Sequence, residues 1–435
     1  MASDDLGTPT YREATRTWAY VGLNSFGGPA GQIAVMHRVL VDEKKWIGEE
    51  RFLHALNFCM LLPGPEAQQL ATYVGWLLHG WRGGLTAGTL FVLPGAIVML
   101  ILSAIYAKFQ DVSSVQALFF GLKCAVLSIV VEAVIRIGKR ALKSRQAYWI
   151  AAIAFVAIYF FGVPFPAIVA AAALFGFFSA RRAPSAPYKE VSARPKAMRS
   201  VAVLIGGLVI WFLPVGVAFL ILRGESVYTD IGLLFSKAAV VTFGGAYSVL
   251  AYIAQQAVEA YGWMQPGEMV DGLAMAETTP GPLIMVVQFV GFLAAYRDPG
   301  SLPPMLAGTL GAALTTWVTF VPCFLWIFLG APYVERLRSN RALSAALAAI
   351  TAAVVGVILN LAVWFALHTL FAETNTVSTG PIHVLVPDVT TVVWSAVVLS
   401  LAAAVATFRF HVGMLKVLAG CAVGGLLILL LNNGI

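Results

Sequence analysis

The sequence predicts an all-α polytopic membrane protein built from two inverted-topology repeats, each carrying paired broken helices. Three observations lead there: an apolar composition, an internal duplication, and an uneven distribution of basic residues between alternate loops. Of 435 residues, 60% are hydrophobic and only 11% are charged, against roughly 25% charged residues in soluble domains. The 40 glycines and 12% aromatics suit helices packed in lipid with Trp and Tyr at the interfaces. The formal charge of +7 is read as loop charge facing an anionic leaflet, which argues against a nucleic-acid partner. Cys59, Cys124, Cys323 and Cys421 are solitary in apolar sequence; they form no metal or disulfide spacing and read as packing residues. The acidic start lacks the basic and apolar regions of a cleavable signal peptide.

The duplication sets the organisation. Asn24-Ser25-Phe26-Gly27-Gly28-Pro29-Ala30-Gly31, Trp46 and Leu62-Pro63-Gly64-Pro65-Glu66 recur as Val241-Thr242-Phe243-Gly244-Gly245-Ala246, Trp263 and Thr279-Pro280-Gly281-Pro282, with Phe26 and Phe243 separated by 217 residues and the other pairs likewise. Each copy places Gly/Pro breaks inside hydrophobic sequence. A membrane helix tolerates these only where the freed backbone groups find new partners or line a cavity. Paired interruptions at corresponding positions of two halves point to a transporter's binding site.

Taken in order, residues 11–40 read as a helix broken at Phe26–Pro29, and residues 50–79 as a second helix broken at Pro63-Gly64-Pro65. Each arm is shorter than the roughly 20 residues a crossing needs, so the pair is either two re-entrant hairpins or two discontinuous crossings. Spans follow at 85–107, 114–135, 147–161 and 165–180, then a basic, Pro-containing linker at 181–199 and a lone span at 201–222. Copy two supplies broken segments 229–259 and 267–296 and spans near 302–330, 342–367, 386–407 and 412–432. Pro94/Pro322, Ala125/Ala353 and Glu132/Asn360 lie 228 apart, so the register recovers after a local insertion near Arg297–Pro304. The sum is about nine full spans plus four broken elements.

Charge fixes the expected orientation. The N-terminus and the loops at 38–51, 80–84, 136–145, 181–199, 331–341 and 408–411 hold 22 Lys/Arg, whereas the opposite loops hold only Lys108, Arg223 and Arg297. By the positive-inside rule the N-terminus and linker are cytoplasmic and the C-terminus is outside. The expected organisation is an N-terminal repeat at 1–180, a cytoplasmic linker at 181–200, a connecting helix at 201–222 and a C-terminal repeat at 223–435. The single connecting span inverts copy two relative to copy one, the architecture of alternating access.

These motifs resemble the chromate ion transporter family, whose long members carry a Phe-Gly-Gly and a Pro-Gly-Pro motif in each of two homologous halves. Here they are Phe26-Gly27-Gly28-Pro29, Pro63-Gly64-Pro65-Glu66, Phe243-Gly244-Gly245 and Pro280-Gly281-Pro282, and the resemblance spans essentially the whole chain. It implies a carrier of the cytoplasmic (inner) membrane that expels chromate, confers resistance, draws on the proton motive force and needs no cofactor, with sulfate as the structural analogue. It leaves the oligomeric state open, a homodimer included. Copy two departs from copy one with Ala246 in place of Pro29 and Leu283 in place of Glu66, so the halves are not expected to contribute equally.

The breaks suit a tetrahedral dianion on physical grounds alone. A half-helix that starts inside the membrane presents unpaired N–H groups and about half a positive charge, a ready anion site. The candidate substrate contacts are Ser25, Phe26, Gly27, Gly28, Ala30, Gly31, Pro63, Gly64, Glu66, Lys237, Thr242, Phe243, Gly244, Gly245, Thr279, Pro280 and Gly281. The competing reading is that the glycines and prolines only kink or pack helices, as at Gly80, Gly84 and Gly88. Glu66 and Glu277 each place a carboxylate beside a break and are the candidates for proton coupling, although Glu66 also suits a helix start. Ser25, Thr242, Thr278, Thr279 and Gln68 can donate to oxyanion oxygens or satisfy broken backbone. Glu132 and Arg136 read as an i,i+4 pair, and His37, His54 and His79 as interfacial.

Lys237 is the one intramembrane cation in the broken elements. It is expected to face the bundle interior, paired with substrate or with Glu277 or Asp271, since a central lysine costs about 2.5–3.5 kcal/mol; snorkelling is the alternative. An intramembrane enzyme is disfavoured because no nucleophile–base or metal motif is present. A passive anion channel would use the same dipoles as a carrier and differs from it by lacking saturation and countertransport.

Overall fold

The computed structural model describes residues 9–181, 197–221, 226–243, 245–334, 340–380 and 382–433. The expected linker, except at its ends, the second glycine-motif residue Gly244 and the last two residues lie outside these. The fold is helical, as the composition requires. Six helices among the described residues are long and apolar enough to cross a membrane, and Arg145–Phe161, Phe165–Ala180 and Trp394–Phe408 are shorter apolar helices at three further expected spans. The chain forms two compact units that interleave the copies: Met1–Ile101, Ser179–Ala246 and Thr279–Ser344 in the first, Leu102–Phe178, Tyr247–Thr278 and Ala345–Ile435 in the second.

In the first unit, α1 (Tyr11–Asn24) and α2 (Gly28–His37) flank the first break. Thr10 caps α1 by accepting from the Glu13 N–H. α2 continues as a π-helical turn over Arg38–Glu43. A continuous helix over residues 11–37 would be about 40 Å long at 1.5 Å per residue. Yet Lys44 Nζ lies 3.1 Å from Glu13 Oε1, so the chain turns back at the break and the element is re-entrant. α3 (Glu49–Cys59) starts where α2 ends, with His37 Nε2 2.5 Å from Glu49 Oε2. α4 (Glu66–Phe109) reverses at His79-Gly80, where the backbone leaves helical geometry and Gly80 adopts φ +62°. The His79 ring contacts the Pro9 carbonyl at 2.9 Å, so the α3–α4 hairpin also returns to the side it left. Of the two arrangements open from sequence, copy one uses re-entrant hairpins.

Past the reversal, the arms of α4 pack so tightly that a β-carbon on Gly75 would collide with the Gly83 carbonyl, and one on Gly88 with Thr72. Gly80, expected to pack helices as Gly84 and Gly88 do, instead makes the turn, and a β-carbon there would meet nothing within 4 Å. α12 (Val286–Arg297) and α13 (Pro304–Gly330) repeat this hairpin in copy two, with Gly311 against the Gly291 carbonyl. α8 (Ala197–Ile221) and α9 (Val227–Val241) complete the unit. Its core around the copy-one hairpins buries Trp18, Met36, Leu40, Phe52 and Phe58.

The second unit contains α5 (Ser113–Ala141), α6 (Arg145–Phe161), α7 (Phe165–Arg181), α10 (Ala246–Gln255, from Tyr247), α11 (Pro266–Thr278) and α14 (Arg341–Leu370, from Ala345). α15 (Trp394–Phe408) and α16 (Met414–Asn433) close it. Small residues let helices approach: a β-carbon on Gly121 would strike the Cys421 carbonyl and one on Gly425 the Ala117 carbonyl. Glu132 and Arg136 form the expected pair at 3.6 Å.

One expected boundary is corrected. The span expected over 386–407 begins at Trp394, because β1 (Thr374–Thr379) and β2 (Ile382–Pro387) form an antiparallel hairpin pairing Thr374 with Pro387 and Thr379 with Ile382. β-Branched residues on both sides of Gly380, at φ +61°, favour this ribbon.

The re-entrant assignment predicts that single cysteines at Glu13 and Lys44 react with a membrane-impermeant maleimide from the same side. Labelling from opposite sides would show that the first broken element crosses.

Candidate functional site

All four helix breaks belong to the first unit, and they meet in two crossed pairs. The Gly64 N–H donates to the Thr242 carbonyl at 2.8 Å, and the Gly281 N–H donates to the Ser25 carbonyl at 2.8 Å. Gly64/Gly281 and Ser25/Thr242 are both 217 apart, so the two bonds are symmetry-equivalent, and each joins one copy to the other. The Pro-Gly-Pro motif of each copy also packs on the long helix of the other. A β-carbon on Gly64 would sit 2.8 Å from Cys323 Sγ, and one on Gly281 3.3 Å from the Phe91 carbonyl and 3.4 Å from Gly95 Cα. Gly95 and Cys323 are 228 apart, the second offset of the duplication.

Side chains finish the backbone accounting that a break inside a membrane demands. Ser25 Oγ donates to the Val21 carbonyl and Thr242 Oγ1 to the Ala238 carbonyl, each at 2.6 Å. These hydroxyl protons, offered from sequence as oxyanion donors, are spent on their own helices. Thr278 likewise donates to Met275. Gln32 donates to the Gly281 carbonyl at 2.5 Å and Gln69 to the Pro63 carbonyl at 2.7 Å. Neither glutamine was singled out from sequence. Gln68 donates to Thr72 and is fully buried, and the carbonyl oxygens of both Gln68 and Gln69 accept no hydrogen bond.

The breaks differ in what they leave open. Gly27 (φ +87°) and Gly28 (φ +66°) turn the chain into α2, which has no side-chain cap, and Pro29 removes one donor from its first turn. Gly28 is buried, yet a β-carbon there would meet nothing within 4 Å. The start of α2 therefore faces space, with Ala30 and Gly31 in its first turn and Phe26 beside it. At the other pair, Glu66 opens α4, and a β-carbon on Gly245 (φ +102°) would lie 3.9 Å from Glu66 Oε1. Phe243 and Ala246 flank that glycine; Gly244 lies outside the described residues. In copy two, Leu283–Met285 form a 3-10 turn before α12 rather than an α-helical start, with Thr279 and Pro280 ahead of it.

One expected site residue stands elsewhere. Lys237 does not face the interior: with Leu233 and Val240 it forms an exposed stripe at i, i+4 and i+7 along α9. The equivalent copy-one face, Arg16, Tyr20 and Leu23, is exposed as well. An exposed apolar stripe is a lipid-type face, on which a lysine snorkels. Glu277 and Asp271, its expected partners, lie in the second unit with other partners. Tyr247 donates to Glu277, and Asp271 pairs with Lys123 at 3.3 Å.

A profile of the chromate transporter family matches residues 12–177 and 229–426. The chain belongs to the chromate transporter family. It is 33% identical over 345 residues to a chromate transport protein of Pseudomonas aeruginosa, covering 78% of this chain and 76% of that one. It is 29% identical over 354 residues to the chromate transport protein of Cupriavidus metallidurans, covering 80% and 82%. The uncharacterized transporter YwrB of Bacillus subtilis is 30% identical over 154 residues, matching 35% of this chain but 77% of its own length. The relative is thus about as long as one copy, which fits a duplicated origin for the longer chain. No solved structure matches this chain. The family is one of membrane transporters, and the crossed breaks are built from the motifs both copies share.

Gly64 and Gly281 should be equally intolerant of a side chain. Alanine at either adopts left-handed backbone, at about 1–3 kcal/mol, and meets Cys323 or the Phe91 backbone. Gly64→Ala and Gly281→Ala should lower the detergent-solubilised melting temperature similarly. A neutral Gly64→Ala would contradict the tie.

Proposed function

We propose that this chain exports chromate from the cytoplasm across the cytoplasmic membrane, driven by the proton motive force, and so confers chromate resistance. The observation that carries the reading is the start of α2: a buried, uncapped helix N-terminus facing open space. Such a terminus offers several N–H donors and a positive potential to a tetrahedral dianion. No carboxylate is needed on that side, since copy two supplies Leu283 where copy one has Glu66.

Glu66 is the proton-responsive group of this reading. A carboxylate beside the substrate repels a dianion while charged and tolerates it once protonated, so chromate affinity and Glu66 protonation rise together. Sulfate has the same charge and shape and is the expected competitor. The positive-inside rule favours both ends of the copy-one hairpins in the cytoplasm, which supports reaching the α2 start through a hairpin that enters and leaves on the substrate's side. Inverted repeats then supply the two exchangeable conformations of alternating access.

In sealed vesicles, chromate flux should saturate, show countertransport, and be competed by sulfate; linear flux without countertransport would make the protein a channel. Cells expressing it should accumulate less chromate than cells without it, and greater accumulation would reverse the direction. Glu66→Gln should bind chromate with an affinity independent of pH, whereas unchanged pH dependence would assign Glu66 to capping α4.

A further inference from the structure

The second unit holds a separate cavity of about 790 Å³ whose inner wall carries Asp271. Asp271 is 3% exposed. Its two oxygens are treated differently. Oδ2 accepts from the Tyr106 hydroxyl at 2.9 Å and faces Lys123 Nζ at 3.3 Å, while Oδ1 is occluded and has no hydrogen-bond partner. A buried acceptor left without a donor is destabilising, so an oxygen kept in this state invites a function.

We propose that Asp271 is a proton-binding site, with Lys123 as its fixed counter-ion and the cavity as its path to water. The cavity's charge selects the ligand. Lys123 on α5 stands against Asp271 and Glu268 on α11 and Asp111 in the turn before α5, while α15 and α16 line the space with Ser395, Gly425, Ile428 and Leu429 and add no titratable group. Three carboxylates to one ammonium repel an oxyanion and attract a proton. The proton comes from cavity water and binds Oδ1, turning the carboxylate into a neutral acid, while Lys123 keeps its own protons and Tyr106 its bond to Oδ2. Protonation dissolves the Lys123–Asp271 charge pair that ties α5 to α11, a change of the kind that biases a two-state element.

The site belongs to one copy only. The duplication places His54 opposite Asp271, Thr351 opposite Lys123 and Val334 opposite Tyr106. A purely structural pair required by the repeat architecture would recur, and this one does not. Its place in the transport cycle rests on the proton-driven reading above; its existence as a proton site does not.

Infrared titration of the purified full-length protein separates the two. A protonated-carboxyl band that grows as pH falls should be present in the wild type and missing in Asp271→Asn. In Lys123→Met it should move to higher pH by about one unit or more, because an adjacent cation favours the charged carboxylate. Asp271→Asn leaves Lys123 unpaired in a half-buried position, so Asp271→Asn with Lys123→Met supplies a version free of that charge in which the band must also be missing. A band unchanged in both variants, or one unmoved by Lys123→Met, overturns the site.

In proteoliposomes, Asp271→Asn should abolish chromate accumulation driven by a pH gradient while retaining chromate exchange without one. Gradient-driven accumulation that survives in Asp271→Asn overturns its role in coupling. Wild-type protein that ignores the gradient but shows the Asp271 band overturns the proton-driven reading and leaves the proton site standing.

Discussion

Two backbone hydrogen bonds, Gly64 to Thr242 and Gly281 to Ser25, hold the first unit in its form. A helix interrupted inside a bilayer frees N–H and C=O groups that lipid cannot satisfy. This chain resolves the difficulty by letting the break of one copy satisfy the break of the other. Because each bond needs both copies, neither set of hairpins is complete alone.

The other features follow from that exchange. Gly64 and Gly281 must turn through positive φ to aim their N–H groups, and they must be bare because the opposite long helix passes against them. Ser25, Thr242, Gln32 and Gln69 donate to the carbonyls of Val21, Ala238, Gly281 and Pro63. What stays open is the uncapped start of α2. A helix start that presents free N–H donors suits an anion.

Much of this was legible in the sequence because a duplication exposes spacing. The four breaks and the equivalence of Gly64 with Gly281 follow from the offset of 217, and the spans from apolar runs whose register recovers at 228. The partner swap did not, since an offset says which residues are equivalent and not which touch. Re-entrance was equally hidden: hydropathy is the same for a hairpin and a crossing, and the Lys44–Glu13 and His79–Pro9 contacts distinguish them. Lys237 misled because a cation in an apolar half-helix has two low-energy positions, and the exposed Leu233 and Val240 on its own face decide between them. The Thr374–Pro387 ribbon was absorbed into a span because its apolar residues raise hydropathy without helical periodicity. Asp271 carried no motif, and its interest arises only from an unpartnered oxygen at a cavity wall.

The central claim is that the crossed breaks of the first unit form the oxyanion site. Anomalous X-ray scattering from chromium in crystals equilibrated with chromate tests it most directly. The account predicts one strong peak within hydrogen-bond reach of the first-turn N–H groups of α2, near Gly28, Ala30 and Gly31. A peak in the Asp271 cavity, or no ordered chromium near the breaks at saturating chromate, would contradict it.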